Sequence, residues 1–235
     1  MNVYFLVEGD AEAKVYPKWI DYFLESQIAR CEVYTDVVEN NYILVNGGGR
    51  KIWNSDRSPI KSAIAEINNN PVFSYLVIVV DADYKTIGDR KIDIETRMGE
   101  DSLPENCELK IIIQNRCFET WFCGHIDNFL IAKTSTNKNV RSYVDAYNME
   151  LLDPEMMTLP TLSHLSIGKY HFNFLHHMLM PITSVKYSKS NADTILDIPY
   201  LERLVRRRRV ETPTHLETFD EVLMLFDTLK QTLNT

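Results

Sequence analysis

The residues best suited to chemistry are acidic and stand where apolar runs stop. "VYFLVEGDAE" (residues 3–12) ends on Glu8 and Glu12, and "YLVIVVDADY" (75–84) ends on Asp81 and Asp83. Asp81 and Asp83 lie two apart, so both face one side if the extended conformation persists past the strand. Glu12 follows Glu8 by about one helical turn. Carboxylates gathered in this way repel one another unless protons or cations intervene. Hard divalent ions with oxygen ligands relieve that repulsion, and Mg²⁺ commonly takes one or two carboxylates while keeping waters. A pair of such ions would activate a nucleophilic water and steady the leaving oxygen in phosphodiester cleavage. A lone D-x-D has a cheaper explanation, in which the aspartates cap a turn and the helix after it.

Most competing chemistries fail on spacing. An EF-hand loop starting at Asp81 needs a glycine and a later glutamate where Thr86 and Ile92 stand. A haloacid-dehalogenase-like phosphatase needs threonine or valine at the position of Lys85. A glycosyltransferase D-x-D stays open on spacing alone. Gly47-Gly48-Gly49 with Lys51 lacks the P-loop frame, and no G-x-S-x-G elbow is present. The three glycines either let backbone approach a phosphate or form a flexible turn. His164, His171, His176, His177 and His215 make no H-E-x-x-H frame and read as packing or surface residues. Cys31, Cys107, Cys117 and Cys123 contain no C-x-x-C pair and read as reduced, mostly buried thiols.

The elements that must position these residues follow from periodicity. Residues 2–8, 42–46, 75–81 and 108–115 read as strands, the third buried on both faces. Residues 11–29 carry Val15, Trp19, Ile20, Phe23 and Leu24 at helical spacing, with Pro17 predicting a kink or a helix start. "SPIKSAIAEI" (58–67) has a serine cap and a proline at the first helical position. A charged helix is expected around 89–98. Strands alternating with helices imply a mainly parallel sheet, whose chemistry collects at the carboxyl ends of its strands. From residue 117 onward the pattern is helical. The polar stretch 133–142 is the candidate boundary, dividing an α/β core (1–132) from a mainly helical C-terminal region (133–235) packed on it.

Bulk composition sets limits. A chain of 235 residues makes one large or two small domains, and 45% hydrophobic with 25% charged residues is ordinary for a globular protein. No apolar stretch reaches the roughly 18 residues of a membrane span, and no signal-peptide pattern opens the chain, so a cytoplasmic protein is expected. A net charge of −8 argues against coating nucleic acid by bulk electrostatics. "LERLVRRRRVE" is the local exception. Arg206, Arg207, Arg208 and Arg209 cannot all share one helical face, so at least one must point inward or sideways. The others either pair with Glu202 and Glu211 or meet phosphates, as could Lys51.

Taken together, "LVEGDAE" and "VIVVDADY" resemble the TOPRIM fold of topoisomerases, primases and OLD-like and RloB-like nucleases. The matching features are Glu8-Gly9 at the end of the first strand and Asp81-x-Asp83 at the end of a later one. Glu12 matches the second acidic residue of the OLD-like group. "NRCFETWFCGH" is similar to a segment in which a glutamate, Glu119 in this chain, precedes an aromatic helix. "YSKSNADTI", "YLERLVRRR" and "THLETF" resemble the tail of the same group, with Lys189 the matching lysine. The resemblance implies that Glu8, Glu12, Asp81 and Asp83 hold Mg²⁺ or Mn²⁺. It also implies catalytic parts for Glu119 and for Lys189, a point charge beside the phosphate. The bland alternatives are a surface lysine at 189 and a buried, partnered Glu119.

The function implied is a metal-dependent nuclease acting on DNA or RNA, a toxic effector of bacterial anti-phage defence controlled by an ABC- or SMC-like ATPase. A homo-oligomer is compatible with this, and no membrane partner is expected. Two alternatives stay open: a non-catalytic regulatory subunit that retains the fold, and a primase-like nucleotidyl or phosphoryl transferase.

Overall fold

Residues 3–7 and 75–80 are buried at every position, as strands covered by helices on both faces must be. In the computed structural model, which describes residues 1–54, 58–161, 163–184 and 186–234, they are the central strands of an α/β fold. The strands are β1 (Val3–Val7), β2 (Ala29–Arg30), β3 (Asn41–Asn46), β4 (Tyr75–Asp81) and β5 (Glu108–Gln114). They form one parallel sheet in the order β2-β3-β1-β4-β5. Register sets Val7 opposite Asn46 on one side and Val79 on the other. The edge strand β2, two exposed residues long, carries no periodicity that a sequence could reveal.

The chain divides into two compact units, residues 1–80, 85–113 and 222–235 in the first, and 81–84 and 114–221 in the second. The first holds the sheet with α1 (Asp10–Phe23), α2 (Pro59–Asn69) and α3 (Ile87–Met98). Helix α1 runs through Pro17 rather than starting at it, and buries Val15, Tyr16, Trp19 and Ile20. Ser58 caps α2 as expected, its Oγ accepting the Ile60 N–H at 3.2 Å, with Pro59 in the first turn. Ile60, Ala63, Ile64 and Ile67 are its buried face. Tyr4 of β1 donates its hydroxyl to Glu66 of α2 at 2.7 Å, so a phenol in the sheet ends on a partner.

The second unit is helical: α4 (Phe118–Cys123), α5 (Ile126–Lys133), α6 (Lys138–Val144), α7 (Ile167–Leu179), α8 (Ala192–Ile195) and α9 (Ile198–Arg206). Its core is aromatic, built on Phe118, Trp121, Phe122, Phe129 and Phe174. The last helix, α10 (Glu217–Leu233), begins in this unit and ends in the first, where Phe226 stacks on Phe23 at 4.7 Å. The chain therefore passes from one unit to the other after residues 80, 84, 113 and 221. The polar stretch 133–142 lies inside the second unit, where Asn137 caps α6 through the Asn139 N–H. Short polar side chains suit a helix cap as well as a loop, and composition does not separate the two.

Among the described residues no helix is long and apolar enough to cross a membrane.

Candidate functional site

The first unit contributes the ends of β1 and β3. Glu8 follows β1 directly and is partly exposed, while Glu12 lies in the first turn of α1 and is only 3% exposed. Two acidic residues in that turn, Asp10 and Glu12, meet the positive end of the helix dipole. A Cβ on Gly9 would lie 3.3 Å from a Glu12 carboxylate oxygen, so the glycine beside Glu8 makes room for Glu12. Asp10 accepts from the Asn46 side-chain amide at 2.7 Å, joining the start of α1 to the end of β3.

The glycine loop closes on the same strand end. Gly47 donates to the Val7 carbonyl at 2.8 Å, Gly49 to the Glu8 carbonyl at 2.7 Å, and Gly48 to Asn46 Oδ1 at 2.8 Å. Gly48 and Gly49 have φ of 73° and 62°, which glycine adopts without strain. All three amides are spent within the chain, so this loop braces β1 and offers no amide cradle to a phosphate. Lys51 follows, exposed, on the 3-10 turn Gly49–Trp53, whose Ile52 is buried.

The second unit contributes Asp81, Asp83, Glu119 and Lys189. The extended conformation does not persist beyond Asp81: Asp83 has φ 54°, so strand geometry does not hold the two aspartates to one face. Ala82 and Asp83 donate to the carbonyls of Gln114 and Arg116 at 2.9 and 2.8 Å, which turns the chain. The Asp81 Oδ1 accepts the Phe118 N–H of α4 at 2.9 Å. Capping is thus one of its roles, although the helix it caps is not the next in sequence. That helix, α3, is capped by Thr86, whose hydroxyl accepts the Asp89 N–H at 3.1 Å. Asp83 Oδ1 lies 3.8 Å from where a Cβ on Gly168 would stand, against the first turn of α7.

Glu119 is buried in the first turn of α4, and its carboxylate accepts the Tyr187 hydroxyl at 3.3 Å. Tyr187 is set by its ring against Phe172 and by the His176 Nδ1, 3.0 Å from its carbonyl. Two residues on, Lys189 is exposed on a 3-10 turn that Ser188 and Asn191 close between themselves, with the Ser188 N–H 2.7 Å from Asn191 Oδ1. Glu119 and Lys189 are thus connected through Tyr187 and one short turn. Burial, with Glu119 nearby, pushes the thiols of Cys117 and Cys123 well above their ordinary range, so neither is a thiolate nucleophile.

The four arginines separate. Arg207 points inward at 0% exposure and donates to the carbonyls of Gly124 and Met149 at 2.5 and 2.8 Å, and it lies 3.0 Å from His215 Nδ1. Burial brings its pKa down to about 10, still charged at neutral pH. It is out of reach of any phosphate, which corrects its assignment as a nucleic-acid contact. Arg208 is held by the Pro213 carbonyl and by Asp220. Arg206, 69% exposed, pairs with Glu211 at 3.2 Å, and Arg209 is also exposed.

One buried carboxylate gave no signal in the sequence. Glu155 accepts from the Thr218 hydroxyl at 2.6 Å, from the Thr218 N–H and from Trp121 Nε1. Burial pushes its carboxyl up to about 7. It caps the start of α10 from a 3-10 turn, Pro154–Met156, a structural role that only long-range packing defines.

The acidic set offers hard carboxylate oxygens, the right chemistry for Mg²⁺ or Mn²⁺. Among the described residues, however, no three His, Cys, Asp or Glu side chains are grouped so as to hold a metal ion. An ion here would be held by one or two carboxylates, with water or phosphate oxygens completing its shell, as Mg²⁺ commonly is. The Phe118 N–H occupies one of about four lone-pair positions on the Asp81 carboxylate. No protein-family model matches the chain, and no curated protein or solved structure matches it.

Proposed function

We propose that the chain is a metal-dependent nuclease of the TOPRIM type, cutting phosphodiester bonds of DNA or RNA at the carboxyl edge of its sheet. The observation that supports this reading is the register of two strands. β1 and β4 are parallel neighbours with Val7 opposite Val79, and Glu8-Gly9 and Asp81-x-Asp83 stand at their ends. In open parallel sheets that edge is where ligands bind. Glu8, Glu12, Asp81 and Asp83 are the candidate ligands this reading assigns, of which one or two would bind an ion directly, as Mg²⁺ commonly allows. A bound Mg²⁺ or Mn²⁺ would supply an activated water and offset negative charge on the phosphate.

The chain's own residues do the positioning. The Phe118 N–H orients Asp81, the Tyr187 hydroxyl orients Glu119, and Lys189 would meet charge developing on a phosphate oxygen. Arg206, Arg209 and Lys51 are the exposed cations assigned to the nucleic-acid backbone. Restraint by an ABC- or SMC-like ATPase, and a part in anti-phage defence, follow from the resemblance to OLD-like and RloB-like proteins. The net charge of −8 suits a nuclease that depends on a partner for loading.

A second reading, a non-catalytic subunit retaining the fold, is favoured by the structural duties of two of these carboxylates. Asp81 caps α4 and Glu119 holds Tyr187. Purified protein incubated with plasmid, single-stranded DNA and total RNA, in Mg²⁺, Mn²⁺ or chelator, separates the two. The nuclease reading expects metal-dependent cleavage that Glu8→Gln and Asp81→Asn abolish, since asparagine keeps the Phe118 acceptor while removing the charge. No cleavage on any substrate with any metal favours the second, and cleavage that survives both substitutions removes these carboxylates as its site.

A further inference from the structure

The second unit contains a cavity of about 300 Å³ lined by none of the residues assigned to cleavage. It lies among His125, the end of α7 and the start of α9, and its size is at the lower end for small-molecule sites. Leu179, Ile182, Ile195 and Pro199 give it apolar walls. The few polar groups that line it include His125, Asn128 and Asp197, an arrangement suited to orienting one small ligand.

The state of His125 decides what that ligand presents. As the N-cap of α5, its Nδ1 accepts the Asn128 N–H at 3.3 Å, so the neutral ring carries its proton on Nε2. Burial lowers its pKa to about 4, which keeps the ring neutral near pH 7. Among the described residues no acceptor meets that Nε2–H. The neighbouring Tyr200 ring, 4.2 Å away, has its hydroxyl committed to the Phe122 carbonyl at 2.6 Å and adds mainly aromatic surface.

Charge narrows the class further. Among the described residues no lysine or arginine lines the cavity, and Asp197 does. The guanidinium of Arg203, which acts on His125 from nearby, is engaged by Asp127 and Glu211. An anion would find no counter-charge, and a purely donating cation could not accept from His125 Nε2–H. We propose that this cavity binds an uncharged, largely apolar small molecule whose carbonyl-type acceptor takes the His125 Nε2–H.

Three near-isosteric probes test the proposal on the full chain: benzamide, benzoate and benzamidinium, titrated by saturation-transfer NMR at pH 7.5. Benzamide is expected to bind at least about five-fold more tightly than either charged probe. His125→Asn keeps a cap for α5 and removes the ring donor, and is expected to weaken benzamide about five-fold, the worth of one neutral hydrogen bond. Ile182→Trp, at a half-exposed wall position where folding is not at risk, is expected to abolish the transfer signal by filling the space. Equal or tighter binding of a charged probe, no binding of benzamide up to its solubility, or benzamide affinity unchanged in both variants would overturn the proposal.

Discussion

The Asp81 carboxylate accepts the backbone N–H of Phe118 at 2.9 Å, tying the last residue of β4 to the first turn of α4. One side chain therefore serves a helix and, in the proposed reading, an ion. The two roles come apart in a pair of variants. Asp81→Ala removes the acceptor and is expected to cost about 1 kcal/mol in urea unfolding, as lost caps do. Asp81→Asn keeps an acceptor and is expected to remain within about 0.5 kcal/mol of wild type while losing metal-dependent cleavage. Equal destabilisation by both would show that the charge, not the cap, stabilises the fold.

Tyr187 gives the buried Glu119 its hydroxyl partner. Tyr187→Phe leaves the carboxylate without that donor and is expected to cost about 1–3 kcal/mol, measured by thermal or urea unfolding. Activity is expected to fall with it, because the turn carrying Lys189 begins at the next residue, Ser188. Glu119→Gln retains an acceptor and should lose less stability than Tyr187→Phe.

Glu155, whose carboxyl pKa is raised by burial, is expected to make stability depend on pH. Its folded pKa is about 7 against an ordinary 4.5, so the native state holds the proton more tightly than the unfolded chain. Protons bound preferentially by the native state mean that this group's contribution is fully present below 4.5 and is lost as pH rises to about 7. The full effect is on the order of 3 kcal/mol. Unfolding free energies of wild type and Glu155→Gln, measured at pH 4.5, 6 and 8, should diverge through that window; parallel profiles would remove Glu155 as its cause.

The arginine run should split by burial. Arg207→Met strands carbonyls of Gly124 and Met149 and is expected to cost about 3 kcal/mol or more. Arg206→Glu and Arg209→Glu should leave stability within about 0.5 kcal/mol. If they touch a nucleic-acid backbone, each reversal lowers the salt slope of binding by about 1. Slopes unchanged in both variants would assign these side chains to solvent.

Periodicity alone located the central strands and most of the helices. The continuous apolar runs 3–7 and 75–80 read as strands covered on both faces, and Ser58-Pro59 announced a helix start without any tertiary information. Four consecutive arginines required one to turn inward, although nothing local said that it would be Arg207. The candidate edge was legible for the same reason, because an apolar run must end and its last residues are visible in the chain.

Partners were not legible. That Asp81 caps a helix 37 residues away, that the amides of the glycine loop are spent on β1 and on Asn46, and that Glu155 closes on Thr218 all depend on segments brought together only by packing. The turn at Asp83 belongs with them, since it is the carbonyls of Gln114 and Arg116 that bend the chain there. Sequence determines where backbone hydrogen bonds repeat and which face is apolar, because both are local and periodic. Which carboxylate meets which donor is decided in three dimensions, because burial strongly favours a partner for each polar group and that partner can come from anywhere along the chain.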